Sequence, residues 1–194
     1  EGHVGQVGVV QEQVLQQGHA DIVSMGRAFL ADPEFAVKAR DGREDEINTC
    51  IGCNQACLDR IFRGKEVSCL VNPRACRETR LNYLPTAVPR RIAVVGAGPA
   101  GLSFACIAAQ RGHAVSLFEA GSEIGGQFNL ARRIPGKEEF SETLRYFQRQ
   151  IELLGIDLHL NQRVTAAELQ AGGWDEIIVA TGVVPRQLAI PGIR

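Results

Sequence analysis

Four cysteines, Cys50, Cys53, Cys57 and Cys69, fall at the spacing C-x2-C-x3-C-x11-C. Thiols this close can bind a metal, pair as disulfides or fill a core. The opening residues, EGHVGQVGVVQEQVLQQ, do not read as a secretory leader. Without one, clustered cysteines read as metal ligands before disulfides. Zinc ribbons set two C-x2-C knuckles across a longer loop. Here three ligands crowd one short loop and the fourth stands apart, which suits the corners of a [4Fe–4S] cube better; zinc stays as the alternative. Cys76 and Cys106 lie outside this spacing. Cys106 sits in an Ala-rich helical stretch and reads as a small buried hydrophobe.

A second constellation is Gly96, Gly98 and Gly101, a G-x-G-x-x-G directly after an apolar strand and at the start of a helix. The first glycine permits a tight turn, the second lets backbone approach a pyrophosphate, and the third packs helix on strand. The helix N-terminus then offers free N–H groups to phosphate. Glu119, at the end of the following strand, is placed to accept hydrogen bonds from ribose hydroxyls. The later glycines Gly125 and Gly126, and the small-residue stretch Ala180, Thr181, Gly182, are further points where backbone can lie against a ligand. This extended layout resembles that of FAD-binding enzymes of the two-dinucleotide-domain type more than that of simple NAD dehydrogenases, and by that resemblance FAD is favoured over NAD. Arg132 and Arg133 could meet a phosphate, but a solvated charge pair is the commoner reason for such residues.

These sites need elements to hold them. Residues 11–18 have a helical pattern ending at Gly18. Residues 20–25 (ADIVSM) read as a short buried strand. Residues 26–35 read as a turn entering a helix, with Asp32 and Pro33 at its start. Residues 50–80 show little periodicity, and residues 82–91, with two prolines, read as a linker. From Arg91 the pattern becomes strand, Gly-rich turn, helix, strand. A helical face of Phe140, Leu144, Phe147, Ile151 and Leu154 follows, then strand-like runs at 156–160 and 176–182. Strands alternating with helices predict an α/β domain with a parallel sheet.

Composition narrows the function classes. Apolar residues make up 45% and charged residues 22% of the 194 residues, with a net charge of −1. That balance gives no sign of a nucleic-acid or anionic-membrane partner, and no run approaches a membrane span. The expected setting is the cytoplasm.

Taken together, DIVSMGRAFLADP, INTCIGCNQACLDRIF, SCLVNPRAC, VVGAGPAGL, EIGGQFN and IPGKEEF resemble the bacterial NADPH-dependent 2,4-dienoyl-CoA reductases. These are iron–sulfur flavoenzymes of the old-yellow-enzyme and trimethylamine-dehydrogenase type. The resemblance runs from about residue 11 to the C-terminus and implies an internal piece of a longer enzyme. It implies the C-terminal remnant of a (β/α)8 barrel at residues 1–40, an iron–sulfur cysteine segment and linker at 41–88, and an incomplete Rossmann-like FAD-binding domain at 89–194. Cys50, Cys53, Cys57 and Cys69 match the cluster ligands. Met25, Gly26 and Arg27 match a loop that holds the FMN phosphate, although too little of that pocket is expected here to bind FMN. Ala100, Glu119, Gln127 and Val164 match positions that contact FAD.

The resemblance further implies a relay from NADPH through FAD and the cluster to FMN, for reduction of an unsaturated acyl-CoA in fatty-acid β-oxidation. The family's proton donors lie in the missing barrel, so no catalytic residue is assigned. His3, His19, His113 and His159 are not promoted in their place. The alternatives are a related enone reductase or amine dehydrogenase, and a zinc-stabilised nucleotide-binding module without redox activity.

Overall fold

A computed structural model describes residues 13–184 and Ile190. Its central element is a parallel sheet whose two middle strands are mainly apolar and buried on both faces, while the two edge strands are partly exposed. Strand β1 (Arg91–Val95) and strand β2 (Ala114–Phe118) lie side by side. Strand β3 (Asp157–His159) pairs with β2, and strand β4 (Glu176–Val179) pairs with the other side of β1. The order β3-β2-β1-β4 reverses direction between β1 and β4. Open α/β sheets bind ligands at such a point, outside the carboxyl ends of the strands. The register brings Val95, Phe118, His159 and Val179 into line at that edge.

Helices α1 (Arg27–Ala31), α2 (Phe35–Arg40) and α3 (Leu58–Ile61) precede the sheet. Helix α4 (Pro99–Gln110) connects β1 to β2, with Gly98 as N-cap and Pro99 at the first position, where its missing N–H costs nothing. The short α5 (Phe128–Ala131) and the long α6 (Phe140–Leu153) lie between β2 and β3. Helix α7 (Ala166–Ala171) leads to β4 and starts with a reciprocal capping box between Thr165 and Glu168. Those hydrogen bonds hold the Glu168 carboxyl below its ordinary range.

Val94, Leu102 and Leu117 are fully buried between α4 and the sheet, with Ala105, Cys106 and Ile156 around them. Cys106 is a buried filler, and desolvation pushes its thiol up to about 12. Ile151, Phe147 and Leu154 bring α6 into the same core, on the apolar face expected from the sequence. The stretch before β1 is docked as well. The N–H of Thr86 donates to the Arg111 carbonyl at 2.7 Å, and Arg111 Nε donates to the Leu84 carbonyl at 3.1 Å.

Two expectations fail in the first forty residues. Residues 20–25 form no strand, and Ile22 is 85% exposed. A single parallel strand has no partner for its backbone groups, and among the described residues none lies beside it. Nor do residues 26–35 make a turn and one helix. Helix α1 comes first, Asp32–Pro33–Glu34 breaks it, and α2 follows with Glu34 as N-cap. Asp32, 3% exposed, accepts from the N–H of Glu34 at 3.0 Å and of Asn48 at 2.9 Å, and from Lys38 Nζ at 2.7 Å. Residues 13–16 are helical and end in left-handed Gly18; the start of the helix expected at residue 11 lies outside the described residues.

Cys76 is exposed and held at φ +62°, where a Cβ is strained. Cys76→Gly is expected to stabilise the chain by about 1 kcal/mol. A higher midpoint in chemical denaturation is the expected result; an unchanged or lower midpoint contradicts it.

Candidate functional site: a thiol cavity beside a dinucleotide cradle

The loop after β1 shows three glycines with three different tasks. At Gly96 (φ +105°) a Cβ would lie 2.4 Å from the Ala180 carbonyl oxygen. At Gly101 it would lie 1.9 Å from the Gly96 carbonyl oxygen. These two are demanded by packing. At Gly98 a Cβ would meet nothing within 4 Å, so this glycine faces open space at the N-terminus of α4. That is the opening a pyrophosphate requires, and Ala100, exposed in the first turn, lies beside it.

Glu119 closes the cradle. Its Oε2 accepts the N–H of Ala97 at 2.8 Å, and its Oε1 accepts that of Gly121 at 2.8 Å. Each oxygen keeps a lone pair for a ribose hydroxyl. The N–H of Gln162 donates to the Glu119 carbonyl and that of Asn161 to Gly121, both at 2.8 Å, so half-buried Val164 follows a strand of chain next to the acid. The N–H of Gly125 donates to the Ala97 carbonyl at 2.7 Å. At Gly126 a Cβ would lie 3.2 Å from Gly98 Cα. Gln127 Nε2 donates to the Val183 carbonyl at 2.5 Å, tying this turn to the segment of Thr181 and Gly182 beyond β4. Thus the glycine loop, Glu119, Gly126, Gln127, Val164, Thr181 and Gly182 surround the carboxyl edge of the sheet.

Arg132 pairs with Glu123 at 2.9 Å on the surface. His113 accepts the N–H of Arg90 at 3.2 Å, and His159 stacks on Phe118 with centroids 4.8 Å apart. Each of these residues has a local structural partner.

Glu119→Ala is expected to weaken FAD binding by about 2 kcal/mol, the scale of a hydrogen bond to a charged group. Titration of apoprotein with FAD measures it; an unchanged Kd contradicts the role given to Glu119.

Cys50, Cys53, Cys57 and Cys69 line one cavity, with Arg27, Asn54 and Val71 on its walls. All six cysteines are free thiols. Left-handed backbone at Gly52 (φ +62°) and Asn54 (φ +59°) curls the loop around the space. The N–H of Ser68 donates to the Ala56 carbonyl at 2.8 Å, which brings the fourth cysteine against the first three. Burial pushes the Cys69 thiol up, while hydrogen bonds from the backbone of Val71 and Asn72 pull it back. Backbone donors aimed at a sulfur suit a thiolate ligand. Among the described residues, no three His, Cys, Asp or Glu side chains converge closely enough to hold one metal ion. Four cysteine thiols lining one cavity are a donor set that fits an iron–sulfur cluster and that zinc could also use.

Several polar residues that the spacing arguments passed over build this cavity. Asn48 Nδ2 donates to the Val71 carbonyl at 2.7 Å, joining the segment before Cys50 to the segment after Cys69. Asn72 Nδ2 donates to the Leu30 carbonyl at 2.9 Å, fixing the same segment to α1. Arg27 Nη1 donates to Asn54 Oδ1 at 2.9 Å, so this arginine reaches the cysteine loop. Met25 and Gly26 lie directly before α1, half-buried and exposed respectively. Asn48 and Asn72 stood inside INTC and VNPR in the sequence; only their partners across the fold reveal their task.

Residues 90–194 match the family model described as pyridine nucleotide-disulphide oxidoreductase, and residues 2–46 match that of the NADH:flavin oxidoreductase / NADH oxidase family. The chain belongs to the pyridine nucleotide-disulphide oxidoreductase family. With the flavin-oxidoreductase match ahead of it, the context is that of old-yellow-enzyme-like flavoenzymes carrying a redox domain.

Among curated relatives, a metal reductase of Desulforamulus reducens is 42% identical over 93% of the chain and 28% of its own length. An NADH oxidase of Thermoanaerobacter brockii is 36% identical over 96% of the chain and 30% of its own length. A solved 2-naphthoyl-CoA reductase, in complex with 2-naphthoyl-CoA, superposes with a TM-score of 0.90 at 38% identity, covering 94% of this chain and 28% of that one. The chain thus spans less than a third of the length of these relatives. Curated matches also include a cinnamate reductase and a dimethylamine dehydrogenase.

Proposed function

We propose that this chain is the electron-transfer section of an iron–sulfur flavoprotein reductase. In this reading residues 1–40 end an FMN-binding barrel, residues 41–88 carry a [4Fe–4S] cluster, and residues 89–194 belong to an FAD-binding domain. The observation that carries it is the placing of four free thiols around one cavity, on a segment fastened to a dinucleotide-binding sheet. The flavin-oxidoreductase match over residues 2–46 supports the FMN assignment. When bound, the flavins and the cluster supply the stepwise passage of electrons from NADPH to a substrate, chemistry the side chains themselves lack.

The residues bind and position. Cys50, Cys53, Cys57 and Cys69 are the ligand set, and the backbone of Val71 and Asn72 steadies the Cys69 sulfur. Gly98 leaves room for the FAD pyrophosphate, and Glu119 orients the adenosine ribose while holding the glycine loop. Met25, Gly26 and Arg27 supply the edge of the FMN phosphate site. Clustered free thiols suit a reducing compartment, the cytoplasm.

For the whole protein we place the substrate among conjugated acyl-CoA thioesters, with 2,4-dienoyl-CoA from unsaturated fatty acids as the favoured member. The 38% identity to a reductase solved with a conjugated acyl-CoA supports that class. The test uses the whole protein, with NADPH consumption followed on 2,4-hexadienoyl-CoA. The expected result is thioester-dependent oxidation of NADPH. Flavin reduction by N,N-dimethylglycine, with no response to the thioester, would make the protein an amine dehydrogenase instead.

A further inference from the structure

We propose that Arg145 is a positioning residue for electron passage. Its guanidinium locks the segment entering the thiol cavity to the dinucleotide-binding sheet. The proposal rests on the reading that the cavity holds a cluster.

Helix α6 has two working faces. One carries Phe147, Ile151 and Leu154 into the core beneath the sheet. The opposite face carries Arg145 and Arg149, one turn apart, against the short 3-10 turn Glu44–Glu46 and the chain that follows it. Arg145 Nη1 donates to the Asp45 carbonyl at 2.5 Å, and Nη2 donates to the Ile47 carbonyl at 2.7 Å and reaches Thr49 Oγ1 at 3.4 Å. Its Nε donates to Glu142 Oε2 at 2.7 Å, which fixes the plane of the fork. Arg149 Nε lies 2.6 Å from Asp45 Oδ2. Glu139, the N-cap of α6, places its carboxylate 3.4 Å from where a Cβ on Gly52 would stand.

One helix therefore follows the chain from Asp45 to Gly52, past Cys50. Ile47 and Asn48 are buried, so carbonyls there need an internal donor. A planar fork with several donors serves two of them and a hydroxyl at once, which an ammonium cannot.

Electron transfer between cofactors falls steeply with their separation. A segment that carries one cofactor's ligands must therefore be held rigidly to the domain carrying the other. Arg145 makes that connection across 98 residues of sequence. Its charge also favours the more negative, reduced form of whatever the thiols hold.

The test compares Arg145→Ala, Arg145→Lys and Arg145→Ala with added guanidinium in the whole protein. FAD reduction by NADPH should stay within about twofold of wild type. The following passage of electrons beyond FAD should slow at least tenfold in Arg145→Ala and recover with guanidinium. Arg145→Lys should keep the cluster's midpoint potential, which falls in Arg145→Ala, yet leave passage slow.

A second readout is independent of the cluster. After iron is stripped by a chelator, alkylation of Cys50 and Cys53 should rise at least tenfold in Arg145→Ala, with less than twofold change at Cys69. Arg145→Gln replaces the alanine variant should the latter not fold, with the same expected split. Wild-type passage together with wild-type alkylation would overturn the proposal, as would equal loosening of all four thiols. A wild-type protein without iron would remove the cluster reading, while the alkylation pattern still decides the clamp.

Discussion

Gly101→Ala is expected to cost about 3 kcal/mol of stability, the upper range for overpacking a rigid site. The new Cβ would stand 1.9 Å from the Gly96 carbonyl oxygen and 3.1 Å from its carbon. Neither atom can retreat. Gly96 is itself held at φ +105° with the Ala180 backbone against it. Relief would require α4 to lift from β1, opening the core around Leu102 and Val94. Gly98→Ala is the control. Its φ of −75° suits any residue, and its Cβ would point into open space. That variant should keep its stability and lose FAD affinity. Chemical denaturation and FAD titration of both variants measure the contrast. Equal stability of the two, or full FAD binding by Gly98→Ala, would contradict the tasks given to these glycines.

Cys57→Ala is expected to remove the cluster and loosen residues 50–80, whereas Cys76→Ala should retain iron. Cys57 lines the thiol cavity and is the N-cap of α3, so its loss opens one corner of the ligand set. Cys76 is exposed and does not line that cavity. A segment with few regular elements depends on its ligated group for order. Iron and sulfide assays with hydrogen exchange over residues 50–80 measure both variants. Equal iron loss in the two would break the ligand assignment.

The dinucleotide cradle was legible because its constraints are local. A turn that forbids a Cβ at Gly96 and Gly101 forces glycine into the sequence, and the acid ending the next strand follows from the same geometry. The two middle strands were legible for a related reason, since burial on both faces writes continuous apolar runs; the edge strands were legible from their alternation with helices. The apolar-run signal misled at residues 20–25. An apolar run states a wish to be buried, but a strand also needs neighbours to pair with, and periodicity does not report them.

Asn48, Asn72 and Arg145 were not legible at all. Each acts through backbone carbonyls between 23 and 100 residues away, and a carbonyl has no sequence signature. By resemblance Arg27 matches an FMN-phosphate position; in the fold its bond to Asn54 sets it against the cysteine loop. Spacing thus found the thiols, and the fold was needed to find what holds them in place.

Iron, sulfide and electron paramagnetic resonance, measured on protein purified without oxygen and reduced with dithionite, test the central claim most directly. The account predicts a brown-yellow protein before reduction, equal iron and sulfide in the [4Fe–4S] ratio, and a signal from a reduced S = 1/2 cluster after dithionite. A colourless protein with one zinc per chain and no sulfide would contradict it.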